Sequence, residues 1–112
     1  KSDSPEEIQK KLLRDPDLFL LAEVDGQIIG TVIGGFDGRR GIIYHLAVEA
    51  RYRKKGIGAL LLHQVEERLA KKGCLKAYLL VTRENTSAIE FYRNQGWDSM
   101  DNLVIFGKEL LP

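Results

Sequence analysis

A short basic and glycine-rich segment, Arg53-Lys54-Lys55-Gly56-Ile57-Gly58-Ala59, has the residue types of a phosphate site. It lies just before an amphipathic run and is therefore placed to open a helix. The first N–H groups of a helix have no intrahelical partner and the helix dipole is positive there, so glycines in this turn let a phosphate approach the backbone. Basic side chains beside these amides would reinforce the site. The segment therefore indicates diphosphate binding.

Two other phosphate-binding patterns do not match this segment. A dinucleotide fingerprint requires a third glycine at the position of Leu61, and a P-loop requires Gly-Lys followed by Ser or Thr. The bland alternative is a solvated basic turn whose glycines only cap the helix.

The overall charge gives no support to a nucleic-acid or membrane partner. Lys and Arg number 17 against 16 Asp and Glu, which leaves a net charge of +1 and no global field for a polyanion. The basic run at residues 51–55 contains one aromatic residue, Tyr52, and not the series of interleaved aromatic side chains of a base-stacking platform. We therefore expect neither nucleic acid nor a membrane as partner, and monomer and homodimer both remain open.

The composition is that of one globular domain. The 112 residues are 44% hydrophobic and 29% charged, and one core typically serves about 100–200 residues. No stretch approaches the ~20 apolar residues needed to span a bilayer. The single cysteine, Cys74, allows no intrachain disulfide and has no partners for a zinc site. We expect one domain over residues 1–112, in the cytoplasm and without a metal.

The first half of the chain alternates strand and turn patterns. A capping box predicts a helix over residues 4–14. Leu18–Val24 and Gln27–Phe36 are strand-like and flank Asp25-Gly26, a favoured hairpin turn. A third strand is predicted over Ile42–Val48.

The second half begins with a helix of about four turns. Its apolar stripe consists of Ile57, Leu60, Leu61, Val65 and Leu69. A strand over Leu75–Val81 and a helix from Asn85 to about Gln95 follow, and Trp97–Leu111 is predicted to form a terminal hairpin. Because this order mixes antiparallel and crossover connections, we predict an α/β sheet.

Four motifs in this order carry a resemblance that covers nearly the whole chain. They are Leu46-Ala47-Val48, Arg53-x-x-Gly56-x-Gly58, Asn85-x-x-Ala88-x-x-Phe91-Tyr92 and Gly96-Trp97. Together they resemble the GNAT N-acetyltransferase superfamily, above all its small bacterial acetyltransferases. The resemblance implies a mixed, largely antiparallel sheet with two splayed parallel central strands and flanking helices. The family's first strand and first helix usually precede the helix predicted at 4–14, and we expect both to be missing here.

The resemblance also implies roles for individual residues. Acetyl-CoA would be the donor, with its pyrophosphate on the main chain of Arg53–Ala59 and with Lys54 and Lys55 free to meet phosphate oxygens. Leu46, Ala47 and Val48 would carry a bulge, and their backbone would bind the pantetheine arm and thioester. Asn85 would contact this arm, and Tyr92 would be the general acid. Taken by itself, Tyr92 is better explained by aromatic packing within a helix, and the motifs around it reverse this preference.

A general base is the part of the chemistry that the sequence does not supply. The positions that match the family's usual base are Ile42 and Leu80, and neither can accept a proton. Tyr44, His45 and Glu23 are the alternatives, although strand alternation puts His45 opposite Ile42 unless a bulge resets it. Deprotonating a lysine costs about 4.6 kcal/mol at pH 7 and an α-amine about 1–1.4 kcal/mol, which favours low-pKa amines. The alternative function is a non-catalytic acyl-CoA-binding module.

Overall fold

The computed structural model describes residues 16–111, which divide between Leu80 and Val81 into two compact units. The helix predicted at 4–14 lies outside the described residues. The single domain predicted over residues 1–112 stays a prediction.

The first unit contains a four-stranded sheet in the order β1-β2-β3-β4. The strands β1 and β2 form an antiparallel hairpin, β3 is antiparallel to β2, and β4 is parallel to β3. Asp25 and Gly26 both have positive φ, 50° and 80°, as a tight hairpin turn requires. The predicted mixed α/β sheet is therefore confirmed, with these bounds: β1 Phe19–Val24, β2 Gln27–Phe36, β3 Arg40–Val48 and β4 Lys76–Leu79.

Helix α1, Ile57–Lys71, covers one face of this sheet with a row of buried side chains. The row consists of Leu61, Leu62, Val65 and Leu69. The predicted stripe was wrong at Leu60, which is 62% exposed, and it omitted Leu62, which is 0% exposed. Two positions span about 200° around a helix, so the two leucines lie on opposite sides and only one can face the sheet.

Glycines on the covered face of the sheet allow α1 to come close. A Cβ added at Gly34 would lie 2.9 Å from Val65 Cγ2, and one at Gly30 would lie 3.0 Å from Leu61 Cδ1. Larger side chains at these positions would push the helix away. The first turn of α1 is thereby fixed beside the end of β3, because Gly30 pairs with Val48.

The second unit contains helix α2, Thr86–Asn94, with Asn85 as its N-cap. The helix ends before Gly96, which has φ +93°. The hairpin predicted over Trp97–Leu111 was wrong: Leu103 N–H donates to Met100 O at 3.2 Å in a turn, but no strand follows. A two-stranded ribbon is marginal without a third strand or a packed face, and the side chains of residues 103–111 are all exposed.

Candidate functional site

The parallel strands β3 and β4 of the first unit stop pairing halfway along β3. Pairing with β4 covers only Arg40–Ile43, opposite Lys76–Leu79. Beyond Ile43, β3 continues to Val48 paired with β2 alone among the described residues. Leu46, Ala47 and Val48 therefore form an open edge of β3 where no β4 residue pairs within residues 16–111, as expected for splayed parallel strands.

A bulge interrupts β3 where this open edge begins. His45 and Leu46 lie together opposite the single residue Val32, at the point where the register shifts. His45 has φ 60° and is exposed, whereas Gly41 and Ile43, whose alternation it would continue, are buried. The bulge thus starts one residue before the predicted segment Leu46–Val48, and it resets the alternation of the strand.

The backbone of Val48 faces the open edge. Glu49 N–H donates to Ile29 O at 2.8 Å, so these two residues form a hydrogen-bonded pair. Successive residues of an antiparallel strand point to alternate sides, and the N–H and C=O of Val48 therefore point away from β2. The carbonyl oxygen of Val48 accepts a hydrogen bond from Arg53 Nε at 2.9 Å.

The segment between β3 and α1 forms a turn rich in unpaired donors. Lys54 has φ 62°, and Gly56 has φ 83° at the N-cap of α1. Leu60 N–H makes the first bond of the helix, to Gly56 O at 3.0 Å. Within residues 16–111, the N–H groups of residues 54–59 make no hydrogen bond. Those of residues 56–59 are the donors of the helix N-terminus, which favour an anion, and those of Lys54 and Lys55 lie in the turn just before it.

Three basic side chains of this turn, those of Arg51, Arg53 and Lys55, contact other groups of the protein. Arg51 Cζ lies 5.3 Å and Lys55 Nζ lies 5.8 Å from the centre of the Tyr52 ring, within cation–π range. Arg53 binds the end of β3. The sequence motif predicts neither the ring contacts of Tyr52 nor the bond of Arg53 to the end of β3. The position of Tyr52 among basic residues is a signal for the ring contacts.

The structure brings Leu46, Ala47, Val48 and Arg53–Ala59 together in the first unit, and it places Asn85 and Tyr92 in the second. Asn85 Oδ1 accepts hydrogen bonds from Ala88 N–H at 3.2 Å and Ser87 Oγ–H at 3.3 Å, so its acceptor oxygen serves the helix cap.

Tyr92 is a half-buried member of an aromatic cluster. Its ring makes edge contacts with Phe91, 5.2 Å between centroids, and with Trp97, 6.4 Å. Burial raises the pKa of the Tyr92 hydroxyl above its ordinary value of 10.0, because desolvation disfavours the phenolate. The hydroxyl therefore carries its proton at neutral pH.

The candidates for a proton acceptor lie on the sheet of the first unit. Tyr44 and His45 adjoin the bulge and are exposed, and Glu23 is an exposed residue of β1. Ile42 is also exposed but has no titratable group. Within residues 16–111, no group of His, Cys, Asp and Glu side chains could hold a metal ion, and no helix is long and apolar enough to cross a bilayer.

Comparisons with known proteins identify the family of this chain. Residues 1–97 match the family model described as acetyltransferase (GNAT) family. An acetyltransferase of Sodalis glossinidius is 39% identical over 110 residues, covering 98% of this chain and 78% of that protein. One of Pectobacterium atrosepticum is 40% identical over 110 residues, covering 98% of this chain and 77% of that protein.

Two solved structures share the fold over most of the chain. Ard1 from Thermoplasma volcanium superimposes with a TM-score of 0.78 at 26% identity, over 83% of this chain and 64% of that one. PaiA N-acetyltransferase from Thermoplasma acidophilum, in complex with coenzyme A, gives 0.76 at 28% identity, over 83% of this chain and 61% of that one. This chain therefore spans less than two thirds of either structure.

Proposed function

The chain belongs to the acetyltransferase (GNAT) family, and we propose that it transfers an acetyl group from acetyl-CoA directly to a primary amine. The acceptor would be a small molecule or a protein N-terminus. The observation that carries this proposal is the run of unpaired N–H groups at residues 54–59, next to the open edge of β3. The PaiA structure, which contains coenzyme A, supports the choice of donor.

The turn before α1 would hold the diphosphate of the donor. The main-chain N–H groups of Lys54–Ala59 would donate to its oxygens, and the ammonium groups of Lys54 and Lys55 would add charge. Apart from its chain neighbours, no described residue would come within 4 Å of a Cβ added at Gly56, so residues 16–111 leave space beside this backbone. A phosphate could therefore approach it closely.

The open edge of β3 would hold the pantetheine arm and the thioester. The arm would bind the outward-facing backbone groups of Leu46 and Val48 as an added strand. The backbone groups of Ala47, which was also predicted to bind the arm, face β2 instead. The N–H of Val48 faces this edge and would donate to the thioester oxygen as negative charge develops on it. Neither interaction requires a particular side chain, which is consistent with the apolar residues found here.

Transfer would then proceed by direct attack. The nitrogen lone pair of the neutral amine forms a bond to the thioester carbon, and the carbon–sulfur bond breaks as the tetrahedral intermediate collapses. Tyr92 would give its proton to the leaving thiolate, and the amine would lose one to a base or to water. The phenol of Tyr92 is protonated at neutral pH and therefore has a proton to give. Asn85 would contact the arm through Nδ2, because its Oδ1 serves the cap.

The first test is a panel of amines with acetyl-CoA, followed by detection of the released thiol. We expect α-amines of peptides and other low-pKa amines to react better than free lysine side chains, because less free energy is needed to deprotonate them. Equal rates across amines of different pKa would contradict this order.

The role of Tyr92 is tested in the same assay. Tyr92→Phe should lower kcat roughly 100-fold and leave the KM for acetyl-CoA unchanged, because it removes only the proton donor. Tyr78→Phe, an exchange of the same kind on β4, should leave both constants unchanged. Turnover unaffected by Tyr92→Phe would show that the general acid is another group.

A non-catalytic acyl-CoA-binding module is the second candidate. It is favoured by the aliphatic residues Ile42 and Leu80 at the positions where the family usually has its base. Calorimetry that shows coenzyme A binding to a protein that acetylates no amine of the panel would establish it.

A further inference from the structure

We propose that Arg53 is a positioning residue. Its side chain connects residues 53–59, called here the diphosphate turn, to Val48, at the strand end that would hold the thioester. The proposal rests on the proposed function. The proposal adds to that function a structural partner for the guanidinium of Arg53, which is Val48 and not a phosphate.

The peptide group between Val48 and Glu49 makes a hydrogen bond through its carbonyl oxygen and another through its N–H. Its carbonyl oxygen accepts from Arg53 Nε at 2.9 Å, and its N–H donates to Ile29 O at 2.8 Å. Rotation of this peptide would break both bonds. Because Val48 O also lies on the open side of β3, the Arg53 side chain reaches the edge where no β4 residue pairs.

The same residue also fixes the turn. Arg53 N–H donates to Ala50 O at 3.2 Å, in the short 3-10 turn Ala50–Tyr52. Its backbone thus belongs to the diphosphate turn and its side chain belongs to the strand end. A displacement of the unpaired N–H groups at residues 54–59 relative to Val48 would strain this connection. We infer that Arg53 sets the distance between the two halves of the donor site.

A direct phosphate contact is the competing role, and three substitutions separate the two. Glutamine places its amide nitrogen as many bonds from the backbone as Arg Nε, so Arg53→Gln keeps the donor and removes the charge. Arg53→Lys keeps the charge but moves the donor one bond further out. Arg53→Leu removes both.

The binding of coenzyme A, measured by calorimetry at low and high salt, is the first readout. For a positioning role we expect Arg53→Gln to bind within about twofold of the wild type, and Arg53→Leu to bind about tenfold more weakly, as loss of a hydrogen bond to a charged donor implies. The affinity of Arg53→Lys for coenzyme A should be as weak as that of Arg53→Leu. The loss should persist at high salt, because a contact within the protein is not screened like a phosphate contact. The opposite order, with Lys retaining affinity and Gln losing it, overturns the proposal.

Hydrogen exchange of the free protein is the second readout, and it requires no ligand. Arg53→Leu should speed the exchange of the amides at residues 49–53 at least several-fold, whereas Arg53→Gln should not. If wild-type protein fails to bind coenzyme A, the proposed function fails, and exchange still decides whether the connection from Arg53 to Val48 exists. Unchanged exchange in Arg53→Leu overturns it.

Discussion

In the turn before α1, Gly56 has backbone geometry that other residue types rarely adopt without strain. Gly56 has φ 83°, and beyond its chain neighbours no atom of the described residues lies within 4 Å of a Cβ added there, so glycine is required for its conformation and not for space. An alanine in left-handed backbone costs roughly 1–2 kcal/mol. This strain would be relieved by rotating the peptides that present the N–H groups of residues 54–59.

Gly56→Ala should therefore lower both stability and donor binding. We expect a loss of about 1 kcal/mol in the free energy of unfolding and a coenzyme A affinity at least tenfold weaker. Gly38→Ala is the matched control, since Gly38 also has positive φ, +100°, and open space but lies in the β2–β3 turn. Urea denaturation should show similar losses for both variants, whereas calorimetry should show weaker binding only for Gly56→Ala. Equal binding losses would mean that the effect comes from general destabilisation.

At the scale of elements, the buried face of helix α1 is set by the sheet beneath it. Leu62 is 0% exposed and faces the sheet, whereas Leu60 is 62% exposed. Leu62→Ala should lower the free energy of unfolding by about 2–5 kcal/mol through lost burial and a residual cavity. Leu60→Ala should change it by less than about 0.5 kcal/mol.

Chemical denaturation of the two variants checks this assignment, because the substitution is the same and only the helix face differs. Comparable losses would show that α1 is rotated relative to its position here. Far-ultraviolet circular dichroism of the folded variants is the control for intact helix content.

Local patterns accounted for the elements that depend on few distant contacts. Three features have a signal within a few residues of sequence: the Asp25-Gly26 turn, the start of α1 after the basic and glycine residues, and the Asn85 cap. The structure has all three at the predicted positions. The predicted buried face of α1 was wrong at Leu60, because an apolar residue on a helix can face either solvent or the core. The predicted strands in Trp97–Leu111 did not form because strand propensity needs a pairing partner.

The site was predictable to a similar extent. The donors at residues 54–59 follow from a local motif, whereas the bulge at His45 depends on how β3 pairs with β2. The bond from Arg53 to Val48 joins a turn to a strand end, and no pattern in the sequence specifies it. Contacts of this kind require the backbone of two elements to be known.

At the scale of the whole molecule, an exposed electrostatic contact joins the start of the described chain to the end of α1. Asp17 Oδ2 lies 3.0 Å from Lys72 Nζ, and Arg68 Nη1 donates to the backbone oxygen of Asp17 at 3.0 Å. The hydrogen bond from Lys72 lowers the pKa of Asp17 below its ordinary value of 3.8. Folding therefore favours the ionised carboxylate.

The sign of the resulting pH dependence follows from this direction. The contribution of Asp17 is fully present above its unfolded pKa and is lost as the pH falls through the lower folded pKa. Because both side chains are exposed, it should amount to less than about 1 kcal/mol and weaken in high salt. Urea denaturation between pH 7 and pH 2 should show Lys72→Met less stable than wild type at neutral pH, with the difference vanishing in acid. Lys71→Met, which removes a neighbouring charge that makes no ion pair within residues 16–111, should match the wild type throughout. A difference for Lys72→Met that persists at pH 2 would mean that its methylene packing, and not its charge, stabilises this end of the helix.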